Sequence, residues 1–252
     1  DYNLFLYRRF RESYQEKRRG TSLTLGHRFD NDWSIDGTAR VEMVTIEDFD
    51  YRYYQSESDP NVYERRLLTP DEVMADAGDS WLTSFKLGIG QNTTDRIYRP
   101  SEGYKFSAGV EQFGVFGGDF SFTELSAGIT FFNTIYEDIV ERRTVWSTKF
   151  AGSKIYGYAP VYERFYAGGM GSLRGFDYRE TGRRGGLGRD PIGSNYILTA
   201  SSEIVHPLFE ETLYGKVFCD SAYLDDHHTR VTVGFGMEII IPQFFQEIPM
   251  NF

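Results

Sequence analysis

The chain has 252 residues, a formal net charge of −10 and an aromatic content of 17%, made up of 21 Phe, 18 Tyr and 3 Trp. The negative charge argues against a nucleic-acid partner, because phosphate backbones are bound by basic surfaces. The single cysteine, Cys219, excludes a disulfide within the chain. Tyrosine suits places where one edge of the ring is dry and the other wet. Composition alone therefore leaves two classes open, a membrane protein and a tyrosine-rich soluble sandwich.

No stretch of the sequence has the length of a membrane-spanning helix, which needs about 18–20 apolar residues. The apolar run 239–241 is only three residues long, and Pro242 ends it. Any membrane crossing must therefore use a closed β-barrel, because lipid cannot satisfy the backbone groups of an open sheet edge. No signal peptide stands at Asp1, so we expect the sequence to begin downstream of any signal.

Apolar residues alternate with small or polar residues at many places along the chain, and this period of two predicts β-strands. In chain order, about eleven predicted strands lie near 3–14, 19–29, 34–50, 81–92, 103–115, 119–133, 142–156, 194–208, 212–223, 229–241 and 248–252. The faces opposite the apolar ones are rich in Gly, Ser, Thr and isolated charges. A barrel that turns its apolar face to lipid and encloses a polar lumen has this pattern. The predicted fold class is an all-β, transmembrane antiparallel β-barrel.

The predicted connections differ greatly in length. Those near 30–33 and 241–249 are short, whereas those at about 51–80 and about 157–193 are long. Short turns at one end and long loops at the other are typical of bacterial barrels, and so is an even number of strands. Because the predicted count is odd and the last segment is short, we interpret 1–252 as a single incomplete barrel domain.

One motif lies in the longest predicted loop. It comprises Gly168, Gly169, Ser172, Leu173, Arg174, Gly175 and Phe176, and Phe165 and Tyr166 precede it. This stretch resembles the signature loop of the BamA-like superfamily of outer-membrane barrel-assembly proteins, also called the bacterial surface antigen family. The family pattern is Gly-Gly, two residues, Ser, an aliphatic residue, and then Arg-Gly-Phe or Arg-Gly-Tyr.

The resemblance extends to the segments that follow the loop. The segment 201–208 resembles the next family strand, which carries an inward acidic residue, here Glu203; 217–220 resembles the strand after it, with Asp220. The resemblance implies that the loop folds back into the lumen and that Arg174 pairs with Glu203 and Asp220. It leaves open whether Arg174 is only a scaffold residue or part of an element that moves. Upstream, 94–96 with Pro100 and Gly103 matches a family turn only in part, because Asn92 stands where an aspartate is expected.

The resemblance also implies an architecture and a function. A complete family barrel has about sixteen strands, of which this chain would represent the fifth to the fifteenth; the POTRA domains and the first and last strands would lie outside it. The implied location is the outer membrane of a Gram-negative-type envelope. The implied function is folding and insertion of client barrels, without enzymatic chemistry, cofactor or metal. The implied partners are outer-membrane lipid, unfolded client outer-membrane proteins, and accessory lipoproteins or periplasmic chaperones.

Other functions remain as alternatives. A two-partner-secretion pore of the same superfamily would export one passenger protein, and a further relative would anchor a lipase-like domain. A plain porin has no reason to carry this motif. The glycines of the motif do not form a dinucleotide-binding loop, because Arg174 occupies a position that requires glycine. The run 225–228, Asp-Asp-His-His, fits a solvated turn better than a metal site.

Overall fold

The computed structural model describes residues 1–55, 63–140, 142–209, 212–240 and 249–251, and antiparallel β-strands dominate it. The strands are β1 (Tyr2–Phe10), β2 (Gln15–Arg28), β3 (Trp33–Glu47), β4 (Tyr51–Gln55), β5 (Tyr63–Leu67), β6 (Gly78–Asn92), β7 (Gly103–Phe113), β8 (Phe122–Glu137), β9 (Arg143–Gly157), β10 (Arg184–Gly185), β11 (Asp190–Pro191), β12 (Tyr196–Phe209), β13 (Leu213–Leu224), β14 (Thr229–Ile240) and β15 (Pro249–Asn251).

Eleven of the described strands form one sheet in the order β1-β2-β3-β6-β7-β8-β9-β12-β13-β14-β15. Each neighbouring pair is antiparallel, so the sheet is an up-and-down meander, with β1 and β15 at its edges in the described residues. The prediction of an all-β antiparallel architecture with about eleven strands is confirmed. The other strands form two small hairpins, β4–β5 and β10–β11, inside the long connections.

The side chains of β14 show which face of the sheet carries the apolar residues. Val233 and Phe235 are 79% and 88% exposed, although both are large and apolar. Glycines 234 and 236 occupy the opposite face, where the neighbouring strand places Phe218 and Lys216. A strand that exposes its apolar residues and turns its small residues inward is the reverse of a soluble sheet and matches a barrel wall bathed in lipid.

The long connections leave the same end of the sheet. They follow β3, at 48–77, and β9, at 158–195, and shorter ones follow β1, β7 and β13 at this end. The first long connection contains the β4–β5 hairpin and a short helix, α1 (Asp71–Ala75). The second contains a single 3-10 turn, Val161–Glu163, and the β10–β11 hairpin. Both connections therefore have structure of their own.

A hydrophobic core lies at this end, between the strand ends and the connections. Its buried members are Tyr14, Val44, Ile46, Val73, Leu82, Phe113, Phe122, Ile155, Ala159, Val161 and Tyr162. The rings of Phe113 and Phe122 stack with their centroids 4.0 Å apart. Since loop residues supply part of this core, the loops pack down into the mouth of the sheet and do not project freely from it.

Several details differ from the sequence-based expectation. The first strand ends at Phe10 and not near residue 14, because Ser13 and Tyr14 turn inward and are buried. The hairpin and helix within 48–77 were not predicted, since five-residue elements give too short a periodic signal. The predicted turn near 241–249 lies almost wholly outside the described residues, and Phe252 lies outside them. No helix in the described ranges is long and apolar enough to cross a membrane.

Candidate functional site

The glycine-rich motif forms a tight turn in the second long connection. The Gly169 amide donates to the Phe176 carbonyl at 2.8 Å, and the Leu173 amide donates to the Gly169 carbonyl at 3.1 Å. Gly168 and Gly175 have φ values of 125° and 88°, which side-chain-bearing residues rarely adopt. These bonds fold the chain back on itself, and Arg174 directly follows the turn that Gly169 and Leu173 close.

Ser172 stabilises this turn from within. Its Oγ accepts a hydrogen bond from the Gly168 amide at 3.0 Å. It lies 3.3 Å from the Gly168 carbonyl oxygen, to which its hydroxyl donates. The serine of the motif thus binds the backbone of its own turn. A serine engaged in this way stabilises the local backbone.

Arg174 contacts both inward carboxylates on the adjacent wall. Its Nε lies 2.6 Å from Asp220 Oδ2 on β13, and its Nη2 lies 2.8 Å from Asp220 Oδ1, which makes a two-pronged pair. Its Nη1 pairs with Glu203 on β12. Hydrogen bonding to Asp220 raises the pKa of the Arg174 guanidinium above its usual value, so the group stays charged. Ser201 donates a further bond to Asp220 Oδ1 at 2.6 Å.

Two apolar contacts surround this ion-paired group. Phe218 lies beneath the guanidinium, whose central carbon is 3.6 Å from the ring centroid. Leu173 is fully buried in a small cluster with Ala222 and Leu224 of β13, and Phe176 packs against the same cluster. The aliphatic residue and the aromatic residue of the motif therefore fix the turn to the wall on either side of Arg174.

Sequence reasoning did not identify Phe218 as part of this site. An aromatic residue on the inward face of β13 is unexpected in a polar lumen. The structure shows that it is the stacking partner of Arg174, and that Gly234 on β14 leaves room for its ring. An inward aromatic residue directly opposite a glycine in the strand register was the available signal.

A second group of contacts holds the loop near its start, and sequence reasoning missed it as well. Glu163, in the 3-10 turn, lies 2.6 Å from Arg18 Nη1 of β2 and 3.4 Å from Arg40 Nη2 of β3. Arg18 also donates to the Tyr162 carbonyl at 2.9 Å. The charged residues at every second position, Glu16 with Arg18 and Arg40 with Glu42, were visible in the sequence, but their partner in the distant loop was not.

Two other connections are joined to the same loop. Asp76, at the end of α1, accepts hydrogen bonds from the Val161 amide at 2.8 Å and the Tyr158 hydroxyl at 2.9 Å. Asp190, in β11, accepts a bond from Ser13 in the first connection. Burial raises the pKa of the Asp76 and Asp190 carboxyls. The described loops form one interconnected layer over this part of the mouth.

The turn that precedes β7 carries the partial upstream motif. Asp95 Oδ1 accepts from the amides of Ser101 at 2.9 Å and Glu102 at 3.1 Å, and its Oδ2 accepts from the Ser101 hydroxyl at 2.6 Å. Asn92, at the position of the expected aspartate, accepts from the Thr94 amide and hydroxyl. The amide side chain can thus still close this part of the turn.

The Asp-Asp-His-His run forms the connection between β13 and β14. Asp226 pairs with Arg230 at 2.5 Å, and Asp225 accepts a bond from the Asn195 amide at 2.9 Å. Both carboxylates are therefore engaged with neighbouring residues. Among the residues that the structure describes, no group of three or more His, Cys, Asp or Glu side chains is arranged to hold a metal ion.

Comparison with known proteins decides the family. The model of the Omp85 superfamily domain matches residues 1–242. The chain belongs to the Omp85 superfamily. As an Omp85 barrel it lies in the outer membrane, so the exposed apolar faces of its strands contact lipid. The resemblance noted from the motif is thereby confirmed.

One curated protein is similar to the chain in sequence, and one solved structure is similar to it in fold. The chain is 24% identical to the outer membrane protein assembly factor BamA of Neorickettsia risticii (strain Illinois), over 81% of this chain and 29% of the relative. It is also similar to the crystal structure of BamA from Haemophilus ducreyi lacking POTRA domains 1–3. That match has a TM-score of 0.73 and 20% identity, and it covers 96% of this chain and 52% of the other. The chain thus spans about a third of the curated relative's length and about half of the solved structure.

Proposed function

We propose that this chain is the barrel portion of an outer-membrane protein assembly factor, which folds client barrels and inserts them into the outer membrane. Membership of the Omp85 superfamily and the similarity to a protein named as a BamA assembly factor support this function. No bond is made or broken in such a process, so we expect no catalytic residue, cofactor or metal. The expected partners are outer-membrane lipid and unfolded client outer-membrane proteins, with accessory lipoproteins or periplasmic chaperones.

The observation that carries the proposal is the attachment of Arg174 to Asp220 and Glu203. Ordering a long loop costs conformational entropy, and a wet lumen offers little hydrophobic gain in return. A guanidinium with fixed donors that bind two carboxylates can offset this cost, because charge-assisted two-pronged pairs are the strongest polar contacts. We infer that Arg174 is a latch that keeps the signature turn, Gly168, Gly169, Ser172, Gly175 and Phe176 included, on the lumenal wall.

Depletion of the full-length protein in its own host tests the proposed function. Folded outer-membrane barrels would be counted by their heat-modifiable mobility on gels. We expect folded forms of many unrelated barrels to fall together, because a general assembly factor serves them all. Loss of one secreted protein with other barrels intact would instead support a two-partner-secretion pore and would contradict the proposal.

Complementation of the depleted host then tests the latch. Wild-type protein should restore the folded barrels, and Arg174→Ala should restore them poorly although it reaches the membrane. Arg183→Ala is the matched control, because Arg183 is an exposed arginine of the same connection. Full restoration by Arg174→Ala, with wild-type mobility of the variant itself, would remove the latch from the mechanism.

A further inference from the structure

The start of the re-entrant loop lies against a buried charge network on β2 and β3. Glu16 and Glu42 are 0% and 1% exposed, and Arg18 lies 2.7 Å and 3.2 Å from their respective carboxylates. Arg40 binds Glu42 at 3.4 Å. Charges this deeply buried persist only when each has partners. The network therefore makes a rigid receptor on this wall, and Glu163 of the loop enters it.

The receptor does not depend on Glu163 for its own charge balance. Without Glu163, Arg18 keeps Glu16 and Glu42, and Arg40 keeps Glu42 and Glu111, the last at 3.2 Å. Loss of the Glu163 charge would thus weaken the attachment of the loop to this wall, where the bond from Arg18 to the Tyr162 carbonyl remains, and would leave the wall itself paired. A neutral variant at this position is a clean probe of what the contact does for the loop.

The two ends of the loop segment 163–174 hold different walls. Glu163 contacts β2 and β3, whereas Arg174 contacts β12 and β13, and the four strands β6, β7, β8 and β9 separate these pairs in the sheet. Fully extended, the eleven peptide steps between the two residues would reach about 40 Å. Between its ends, the segment is stiffened by backbone pairing of Phe165 with Ser194 and of Ala167 with Thr181, so movement at one end is passed along it.

We propose that the segment 163–174 is a brace across the lumen, in which Glu163 is a positioning residue that determines how firmly Arg174 and its turn cover the β12–β13 wall. Only the effect of the brace on client assembly rests on the proposed latch. It implies that release of the loop from β2–β3 loosens the cover over β13, which Glu163 does not touch. A loop with two unrelated attachments would not transmit this change.

Thiol labelling of the covered wall tests the brace in the full-length protein. Ala222 on β13 is 1% exposed and packs beneath Leu173 of the turn. The reporter is Ala222→Cys in a Cys219→Ser background, because Cys219 is exposed on the outer face of the same strand. The rate of reaction with a water-soluble maleimide measures how often the turn leaves the wall, since local opening governs access to buried groups.

Three changes are compared on this reporter. Arg174→Lys weakens the attachment of the turn to β12 and β13 directly and should raise the labelling rate. Glu163→Gln should raise it about tenfold, the change in open population that a loss of ~1.4 kcal/mol produces. Glu137→Gln is the matched control, since it removes one member of an exposed Glu–Arg pair, with Arg143 at 3.0 Å, and should leave the rate unchanged.

The outcomes separate the brace from the latch. A raised rate in Arg174→Lys with an unchanged rate in Glu163→Gln would overturn the brace and leave the latch standing. Unchanged rates in both would overturn the two proposals together. If Glu163→Gln does not fold, Arg40→Lys replaces it: this variant keeps the charge but loses the planar fork that reaches Glu163. Its labelling rate should then lie between those of the unmodified reporter and Arg174→Lys, and equality with the unmodified reporter would overturn the brace.

Discussion

The guanidinium of Arg174 stacks on the ring of Phe218, with 3.6 Å between its central carbon and the ring centroid. The ring occupies the space that Gly234, its partner on the next strand, leaves by having no side chain. A cation over an aromatic face gains about 0.5–2 kcal/mol, more where water is excluded. The wall thus supplies Arg174 with a platform in addition to two carboxylates, and the platform depends on a glycine.

This arrangement predicts that Gly234→Ala disturbs the site without touching Arg174. A Cβ at this position would lie 2.5 Å from Phe218 Cζ, so the ring must move. We expect a loss of about 1–3 kcal/mol of stability, as for other overpacked sites. Gly128→Ala is the control, because the nearest atom to its added Cβ is at an ordinary 3.5 Å. Melting of heat-modifiable mobility measures both, and equal midpoints would contradict the platform.

The charge-pair geometry predicts different costs for two replacements of Arg174. In Arg174→Ala, Asp220, whose side chain is 4% exposed in the wild type, loses its charged partner, and breaking a buried ion pair costs about 3–5 kcal/mol. Arg174→Lys keeps the charge but cannot bind Asp220 with two parallel bonds and reach Glu203 as well. The folded-to-unfolded mobility midpoint should therefore fall in the order wild type, Lys, Ala. A midpoint for Ala at or above that for Lys would show that the pairs do not stabilise the loop.

Much of the fold could be predicted from the sequence, because each main strand carries its own period-two pattern. β14 alternates Val231, Val233 and Phe235 with smaller residues, and this pattern alone shows which residues share a face. Such information is local and survives without any knowledge of the neighbouring strand. The β4–β5 hairpin within residues 51–67 lacked it, since its strands are short and polar.

The contacts across the lumen could not be predicted in the same way. The pairing of Arg174 with Glu203 and Asp220 was expected only because the motif resembles a family loop. Glu163 carries no comparable signature, and its partners Arg18 and Arg40 lie more than a hundred residues earlier in the chain. Periodicity and composition contain no term for such distant pairs, so they became visible only in three dimensions.

The outward face of β14 predicts a strong asymmetry between its two sides. Val233 is among the most exposed apolar residues, and it faces lipid in the outer membrane. An arginine on the lipid face of a barrel costs about 2–4 kcal/mol at mid-membrane depth. Val233→Arg should therefore reduce the folded fraction in lipid vesicles. Ser126→Arg, on an inward position that lines the lumen, should fold normally. Equal folding of the two variants would show that the outward face of β14 was wrongly assigned to lipid.

The turn between β6 and β7 should lose its order in acid. Burial alone would raise the pKa of Asp95, but the hydrogen bonds that Ser101 and Glu102 donate lower it to about 2, below its ordinary value of 3.8. A depressed pKa means that the carboxylate contributes stability fully above pH 3.8 and loses that contribution as the pH falls toward 2. Hydrogen-exchange protection of the Ser101 and Glu102 amides should therefore decline over this interval.

An internal control and a variant make this prediction specific. The Gly114 amide donates to a backbone carbonyl, Thr83 O, at 2.8 Å, so its protection should not follow the titration of a carboxylate. In Asp95→Asn, the side-chain oxygen still accepts but carries no charge, so protection of Ser101 and Glu102 should be lower at neutral pH and independent of pH. A decline at Gly114 that parallels the turn would mean that acid loosens the whole wall and that Asp95 does not act locally.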